Sequence, residues 1–487
     1  MDKAFHFAIP AIEWSALLPI IIVALTGICA FVVEMFQPKR ENTLIVGISL
    51  GGLILAAFTL FFQMDQPVYT TAGDLLLRDP FGTAIQWILL VASALTILFS
   101  ESYLREKRIP FGEFYPLVLW STVGAMIMST TSNLLVVFLG LEILSVSLYV
   151  MAGMSRSEEK SEESALKYFL LGAFASGFLL YGIAFVYGAT GGLDIDFVGA
   201  IWVHAEGATK PMLLFGLALM LIGLGFKTSL VPFHQWTPDV YQGAPTNVTA
   251  FMATAGKVAA FAALWRVLNA FTPLAHYWVP VLCTLAVLTM FVGNFAALVQ
   301  KDVKRILGYS SISNAGYMLI AIIAHSQNYR VGGSTLVFFL LSYTLMSLGA
   351  FAVVSLAAKN GMEGTKLEDL NGMWKRSPFA ALALVVFMAS LIGIPPTGGF
   401  FAKMLLFFDA LQTGYWPLAV VLAVNSVISV FYYLAIARAA FVADSEDSEY
   451  KLAKVSPALA SVCAVCIVGV LGIAICYTPV ANFLASR

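Results

Sequence analysis

Between Trp14 and Tyr477 the chain repeats one pattern: apolar runs of about 20 residues, separated by short connections that hold most of its charges. A run of that length crosses a bilayer core of about 30 Å as a helix, because each residue adds about 1.5 Å and the segment satisfies its own backbone polar groups. Fourteen such segments can be drawn, at approximately 14–36, 43–63, 81–100, 114–131, 133–153, 164–188, 211–231, 247–270, 278–299, 305–325, 331–358, 378–413, 415–441 and 456–478. A transmembrane barrel would show alternating segments of about ten residues instead. The expected fold class is therefore an all-α polytopic membrane protein. Composition agrees where it decides the matter, since only 11% of residues are charged, against about 25% in soluble domains.

The same numbers exclude several function classes. A net charge of −1 gives no support for nucleic-acid binding. The cysteines at 29, 283, 463, 466 and 476 all lie in apolar runs, and Cys463 with Cys466 lacks the second ligand pair that a metal site needs, so packing explains them. The set cannot hold an iron–sulfur cluster, and no His pair has haem spacing. Gly-Leu-Gly-Phe-Lys at 223–227 lacks the strand, loop length and Ser/Thr of a phosphate-binding loop. Neither a metal site nor a cofactor-binding site is expected on this chain. No cleavable leader is expected either, because the first run follows Pro10-Ala-Ile-Glu13 rather than basic residues and is long enough to span.

The distribution of charge orients the segments. The odd-numbered connections hold seventeen basic residues: Lys39, Arg40, Arg105, Lys107, Arg108, Arg156, Lys160, Lys301, Lys304, Arg305, Lys359, Lys366, Lys375, Arg376, Arg438, Lys451 and Lys454. The other side, termini included, holds six: Lys3, Arg78, Lys210, Arg266, Arg330 and Arg487. Basic residues collect on the cytoplasmic side, so the odd connections are expected there and both termini outside, in a pattern that suits a bacterial plasma (inner) membrane. Four basic residues remain inside apolar segments: Lys167, Lys227, Lys257 and Lys403.

Two segments are interrupted. The seventh breaks near Pro232, with a short piece ending by Gln242-Gly243, and the twelfth breaks at Gly393-Ile-Pro-Pro-Thr-Gly-Gly399. Splitting the twelfth into two spans would leave pieces of about 15 to 17 residues and reverse the charge bias downstream, so one broken helix is the better reading. The breaks lie five segments apart, an odd offset that reverses direction in the membrane. Segments 4–8 and 9–13 are thus expected to form two inverted five-helix repeats, the arrangement in which broken helices mark a transport pathway. The expected organisation is 1–113 for three leading helices, 114–270 and 278–441 for the repeats, and 442–487 for a final helix.

Ionisable residues at bilayer depth cost a few kcal/mol each and mark functional sites. Glu142 lies nine residues past Asn133, about 13 Å into its segment, and Lys257 ten residues past Asn247, about 15 Å in. A carboxylic acid kept protonated for packing is the alternative for Glu142, and snorkelling explains mid-helix lysines poorly. Lys227 precedes the first break and Lys403 follows the second, where irregular backbone requires protein cover or a wet cavity; capping of free carbonyls is the competing explanation. His234, across Pro232 from Lys227, suits a proton relay or a structural hydrogen bond. Asp239 has the character of a turn or N-cap aspartate. Lys167 has Glu163 at i, i+4, so a local pair is as good a reading as a channel role. Glu34 and Asp409 read as interfacial. Burial favours a neutral amine and a nearby carboxylate favours the ammonium, with an attraction of about 2.8 kcal/mol at about 6 Å and a dielectric near 20. Moving or neutralising the acid in such a pair would release the proton.

The run GFKTSLVPFHQWTPDVYQGAPTNVTAF, with LGLEILSVSLYV upstream, VKRILGYSSISNAGYM at 303–318 and GIPPTGGFFAKM at 393–404, resembles subunit N of proton-pumping NADH:quinone oxidoreductase, respiratory complex I, within the antiporter-like membrane subunit family. The likeness covers essentially the whole chain, and PFHQWTPDVYQGAP favours subunit N over its paralogues M and L. It implies a fourteen-helix subunit with two inverted repeats, in which Glu142, Lys227, His234, Lys257 and Lys403 match the family's proton-transfer residues along a hydrated lateral axis. Ala255-Gly256-Lys257 departs from the Ser expected before the lysine. The resemblance also implies that NADH, FMN, iron–sulfur clusters and quinone sit on other subunits, and that the partners are the lipid bilayer and the other membrane subunits, antiporter-like paralogues included. An Mrp-type cation/proton antiporter subunit and a non-transporting scaffold subunit are the alternative functions.

Overall fold

Each expected apolar run forms helix, as it must where an unpaired backbone group would cost several kcal/mol. The structure, a computed structural model, describes residues 12–37, 42–64, 66–109, 111–204, 206–327, 331–359, 362–442 and 455–475. In chain order the helices are α1 (Trp14–Phe36), α2 (Thr43–Phe61), α3 (Pro80–Glu106), α4 (Phe114–Ser129), α5 (Leu134–Ala152), α6 (Glu159–Thr190), α7 (Ile195–His204), α8 (Thr209–Thr228), α9 (Trp236–Gly243), α10 (Thr246–Phe251), α11 (Lys257–Ala270), α12 (Ala275–Leu298), α13 (Val303–Gln327), α14 (Gly333–Val354), α15 (Met373–Arg376), α16 (Pro378–Ile392), α17 (Gly398–Gln412), α18 (Trp416–Phe441) and α19 (Pro457–Ile475). A π-turn, Met252–Gly256, joins α10 to α11. Two short antiparallel hairpins, β1 (Tyr69–Thr71) with β2 (Leu76–Arg78) and β3 (Ala358–Lys359) with β4 (Met362–Glu363), have no counterpart in the sequence reading, and neither does α7.

Among the described residues twelve helices are long and apolar enough to cross a membrane; α4 and α16 are shorter apolar helices. The sixth segment is longer than expected, because Glu159 and Glu162 extend α6 at its first turn, where acidic groups suit the helix dipole. The expected placement of both termini concerns residues 1–11 and 476–487, outside the described residues, as are Lys39, Arg40, Arg330, Lys451 and Lys454.

The continuous helix of α10 and α11, together with α13 and α14, is buried along nearly its whole length, whereas α1, α2 and α19 bury one face each. Lipid tails are as apolar as the helices, so close approach of small residues does much of the packing. A Cβ on Gly124 of α4 would lie 2.5 Å from Gly140 O and Leu144 N of α5. A Cβ on Gly293 of α12 would lie 2.9 Å from Tyr309 O and 2.6 Å from Ser313 N of α13, at the same sixteen- and twenty-residue spacings.

Two further patterns recur. Leu134 N donates to Leu193 O (2.9 Å) and Ile195 N to Ser132 O (2.8 Å), tying the start of α5 to the segment after α6. Val303 N donates to Thr365 O (2.6 Å) and Leu367 N to Lys301 O (2.9 Å), tying the start of α13 to the segment after α14. At the breaks, Ser229 (φ 65°) ends α8 while Leu230 N donates to Gly225 O (2.8 Å), and Gly393 (φ 93°) ends α16 while Ile394 N donates to Ala389 O (3.0 Å). In each case the left-handed residue turns the chain and the bond satisfies a carbonyl that the helix end would leave free. The Val231–Pro232 and Pro395–Pro396 bonds that follow are both cis.

Four charges sit differently from the sequence reading. Arg78, Lys304 and Arg266, counted among the connections, are buried, and Asp409, read as interfacial, is 7% exposed with one carboxylate oxygen lacking a hydrogen-bond partner. Contacts across the bundle explain this: Lys304 binds Glu363 and Ala244 O, and Arg266 binds Asp79 and Ser129 O. Glu34 is half-buried.

Candidate functional site

Lys227, in the last turn of α8, is 5% exposed. Its Nζ donates to the Tyr168 hydroxyl (3.0 Å) of α6 and lies 4.9 Å and 5.5 Å from the ring centroids of Tyr168 and Tyr149. Trp236 stacks on Tyr168 at 4.6 Å and donates Nε1–H to Phe226 O (2.9 Å), so the short helix after the break holds the tyrosine that receives the lysine. Gly172 makes room for Tyr149, whose hydroxyl would be 2.1 Å from a Cβ there.

Glu142 is half-buried on α5, and its Oε1 is buried with no hydrogen-bond partner. Among the described residues no ion pair within 4 Å joins it to Lys227. Tyrosine thus takes the ammonium directly, and the Glu142 carboxylate acts on Lys227 from beyond ion-pair distance, as the sequence reading has it. His234 lies in the turn before α9, half-buried, with Nδ1 buried and without a partner. None of the described hydrogen bonds links it to Lys227 or Lys257.

Lys257 follows the π-turn directly, is 2% exposed, and donates to Ser311 O (2.6 Å) of α13, with the Tyr343 ring centroid of α14 6.0 Å away. A π-turn re-aims the following side chains and is frequent at functional sites. Sequence alone gave no sign of it.

Lys403 of α17 is 6% exposed and donates to Leu391 O (2.8 Å) and Ile392 O (2.9 Å) at the end of α16, with the Tyr317 ring centroid 5.2 Å away. It therefore does cap the broken end, where free carbonyls and the helix dipole both favour a cation. Beside it, Asn294 donates to the Tyr317 hydroxyl (3.3 Å) and to Asn425 Oδ1 (2.9 Å), and Tyr432 donates to Asn294 Oδ1 (2.9 Å). Ser310 and Tyr433 share a hydrogen bond between hydroxyls, and Asn314 Nδ2 donates to Ser310 O (2.8 Å). The Ser and Asn residues of 310–314 thus give α13 a polar face running from the Lys257 contact towards Tyr317. That face was missed as a site, although its run of small polar residues inside an apolar segment was there to be read.

Asp239 is not an N-cap; Gln235 holds that position of α9. Asp239 sits in the first turn and accepts from Arg305 Nη1 (2.6 Å) and Lys167 Nζ (3.3 Å), while Lys167 also pairs with Glu163 (2.6 Å). These three carboxylate contacts form an ion-pair cluster apart from the three buried lysines. The structure buries Lys227, Lys257 and Lys403, each against a tyrosine ring and a hydroxyl or backbone oxygen, leaves Glu142 and His234 half-buried, and puts Lys167 and Asp239 in the ion-pair cluster.

A family model described as NADH:quinone oxidoreductase/Mrp antiporter, transmembrane, matches residues 131–429. Similar curated proteins include NADH-quinone oxidoreductase subunit N of Trichlorobacter lovleyi, 42% identical over 90% of this chain and 89% of that one, and subunit N 1 of Herpetosiphon aurantiacus, 42% identical over 91% and 90%. Among solved structures, a chain of respiratory complex I from Thermus thermophilus is 34% identical with a TM-score of 0.80, covering 95% of this chain and 98% of that one. A chain of the Mrp complex from Dietzia is 21% identical with a TM-score of 0.83, covering 98% and 97%, a likeness of fold alone.

Proposed function

This chain belongs to the subunit N family of NADH-quinone oxidoreductase, and from that premise we propose that it is a proton-translocating membrane subunit that moves protons along Glu142, Lys227, His234, Lys257 and Lys403. One observation carries the reading. Lys227, Lys257 and Lys403 are 5%, 2% and 6% exposed, and each is held by neutral oxygens and aromatic faces, with no carboxylate within 4 Å among the described residues. A structural ammonium this deep is normally paired. One held only by dipoles can gain or lose its proton without breaking an ion pair, and an approaching positive charge favours the loss.

Redox chemistry in the complex is then coupled to this chain electrostatically. FMN, iron–sulfur clusters and quinone belong to partner subunits in this reading, and no redox step is assigned to this chain. Neighbouring antiporter-like membrane subunits are the partners, and the basic side of the bundle faces the cytoplasm of a bacterial cell. The recurring ties at Leu134 and Val303, the matching helix ends at Ser229 and Gly393, and the paired glycine contacts support two inverted repeats, 114–270 and 278–441, between the three leading helices of 1–113 and the closing helix of 442–487.

The test is Lys227→Ala in the assembled complex, with quinone-reductase turnover and proton uptake into inverted membrane vesicles measured together. Fewer protons per quinone reduced are expected. Unchanged turnover with unchanged pumping would overturn the proposal.

A further inference from the structure

On the basic side of the bundle lies a buried ion pair that the lysine chain does not use. Lys304, 1% exposed in the first turn of α13, donates to Glu363 Oε2 (2.8 Å) and to Ala244 O (2.6 Å). Glu363, whose side chain is 9% exposed, comes from β4 and accepts from Thr246 N (3.1 Å) at the start of α10 through its other oxygen. The Tyr103 hydroxyl of α3 accepts from the same Thr246 N (3.0 Å). Glu363 thus joins the feet of the two helices that grip Lys257: α10 leads into the π-turn before Lys257, and α13 carries Ser311, whose carbonyl holds it.

Other acids nearby are committed elsewhere. Asp302 caps α13 through Arg305 N (3.0 Å) and accepts from Gln242 (3.0 Å) and Thr365 (2.5 Å). Glu158, Lys107 and Lys160 act on Lys304 from the end of α3 and the start of α6, Lys304 faces Glu363 directly, and Tyr103 shares the Thr246 N–H with it. A buried ion pair is weak evidence of stabilisation, because well-packed neutral side chains of similar volume often serve as well or better. Its retention here calls for a different account.

We propose that Glu363, held between Lys304 and the start of the Lys257 helix, is the proton-loading group that takes protons from the basic side and hands them towards Lys257. This rests on the proton-transfer reading of Lys257. A proton from the aqueous phase adds to the Glu363 carboxylate, forming the neutral acid and freeing Lys304. The acid then gives that proton, through intervening hydroxyls and water, to the neutral amine of Lys257, which becomes the ammonium as Glu363 returns to the carboxylate paired with Lys304. Intermediates are required, because the eleven residues from Thr246 to Lys257 span about 16 Å. Burial pushes the Glu363 carboxyl up, and the Thr246 N–H and the Lys304 ammonium 2.8 Å away oppose it.

The test compares Glu363→Gln, the double variant Glu363→Gln with Lys304→Met, and Lys257→Met in assembled complex, reading proton uptake per quinone reduced from pH 6 to 9. Glu363→Gln keeps an acceptor for Thr246 N but cannot load a proton, and pumping is expected to fall about tenfold or more. The double variant removes both charges and is expected to remain defective across that pH range. Recovery of pumping in the double variant would make the pair merely structural and overturn the inference, as would wild-type pumping by Glu363→Gln beside an impaired Lys257→Met. Wild-type pumping by Lys257→Met would instead overturn the reading beneath it.

Discussion

Lys257→Met in the assembled complex is expected to slow coupled proton pumping about tenfold or more, the lower end of what a positioned acid–base group contributes. Methionine approximates the lysine stem and fills the space between α11, α13 and α14, so packing around Ser311 and Tyr343 survives and the loss reports the amine itself. Lys257→Arg separates the two roles that an ammonium can play. Guanidinium keeps the charge and a donor for Ser311 O but does not deprotonate in proteins. If Lys257 carries protons, Arg is as defective as Met. If it supplies only a fixed positive charge, Arg restores pumping. The measurement is proton uptake per quinone reduced in membrane vesicles, with the amount of assembled complex determined in the same membranes.

Arg266→Met is expected to destabilise the subunit by about 3 to 5 kcal/mol, the cost of leaving one partner of a buried ion pair unmatched. Arg266 lies two and a half turns beyond Lys257 on α11, and its side chain is 7% exposed. It donates Nη1–H to Asp79 Oδ2 (2.7 Å) and Nε–H to Ser129 O (3.1 Å), binds Asp79 Oδ1 through Nη2, and packs against the Phe81 ring at 5.2 Å. Asp79 in turn caps α3 by accepting from Gly82 N (2.9 Å). One guanidinium therefore fixes the ends of α3, α4 and α11 on the side opposite Glu363. Arg266→Lys should recover little of the loss, because a single ammonium cannot bind the carboxylate through two nitrogens and the Ser129 carbonyl as well. Thermal stability of the purified complex and its yield in membranes are the readouts. Wild-type values for Arg266→Met would show that the contact contributes nothing.

The spans were legible in the sequence because bilayer thickness sets the length of an apolar run, and nearly every helix falls within a few residues of its expected limits. The breaks at Ser229 and Gly393 were legible because proline and glycine signal them locally. Lys227, Lys257 and Lys403 stood out because a lysine inside an apolar run is rare, and the structure buries all three side chains. What could not be read was anything set by packing between distant segments. The tyrosines around Lys227, the π-turn before Lys257 and the carbonyls that hold Lys403 depend on contacts across the bundle. Lys304, Arg266 and Asp409 were misplaced for a related reason: charge near a span end suggests solvent, whereas hairpins and neighbouring helix ends cover all three.

The central claim, that protons cross a continuous polar layer through Lys227, Lys257 and Lys403, is tested most directly by a high-resolution map of the assembled complex that resolves ordered water. The account predicts water on both sides of each lysine, bridging the Tyr168 hydroxyl, the polar face of α13 at 310–314 and the Asn294–Tyr317 network. A dry break at Lys403, with its ammonium sealed against Leu391 O and Ile392 O, would contradict it.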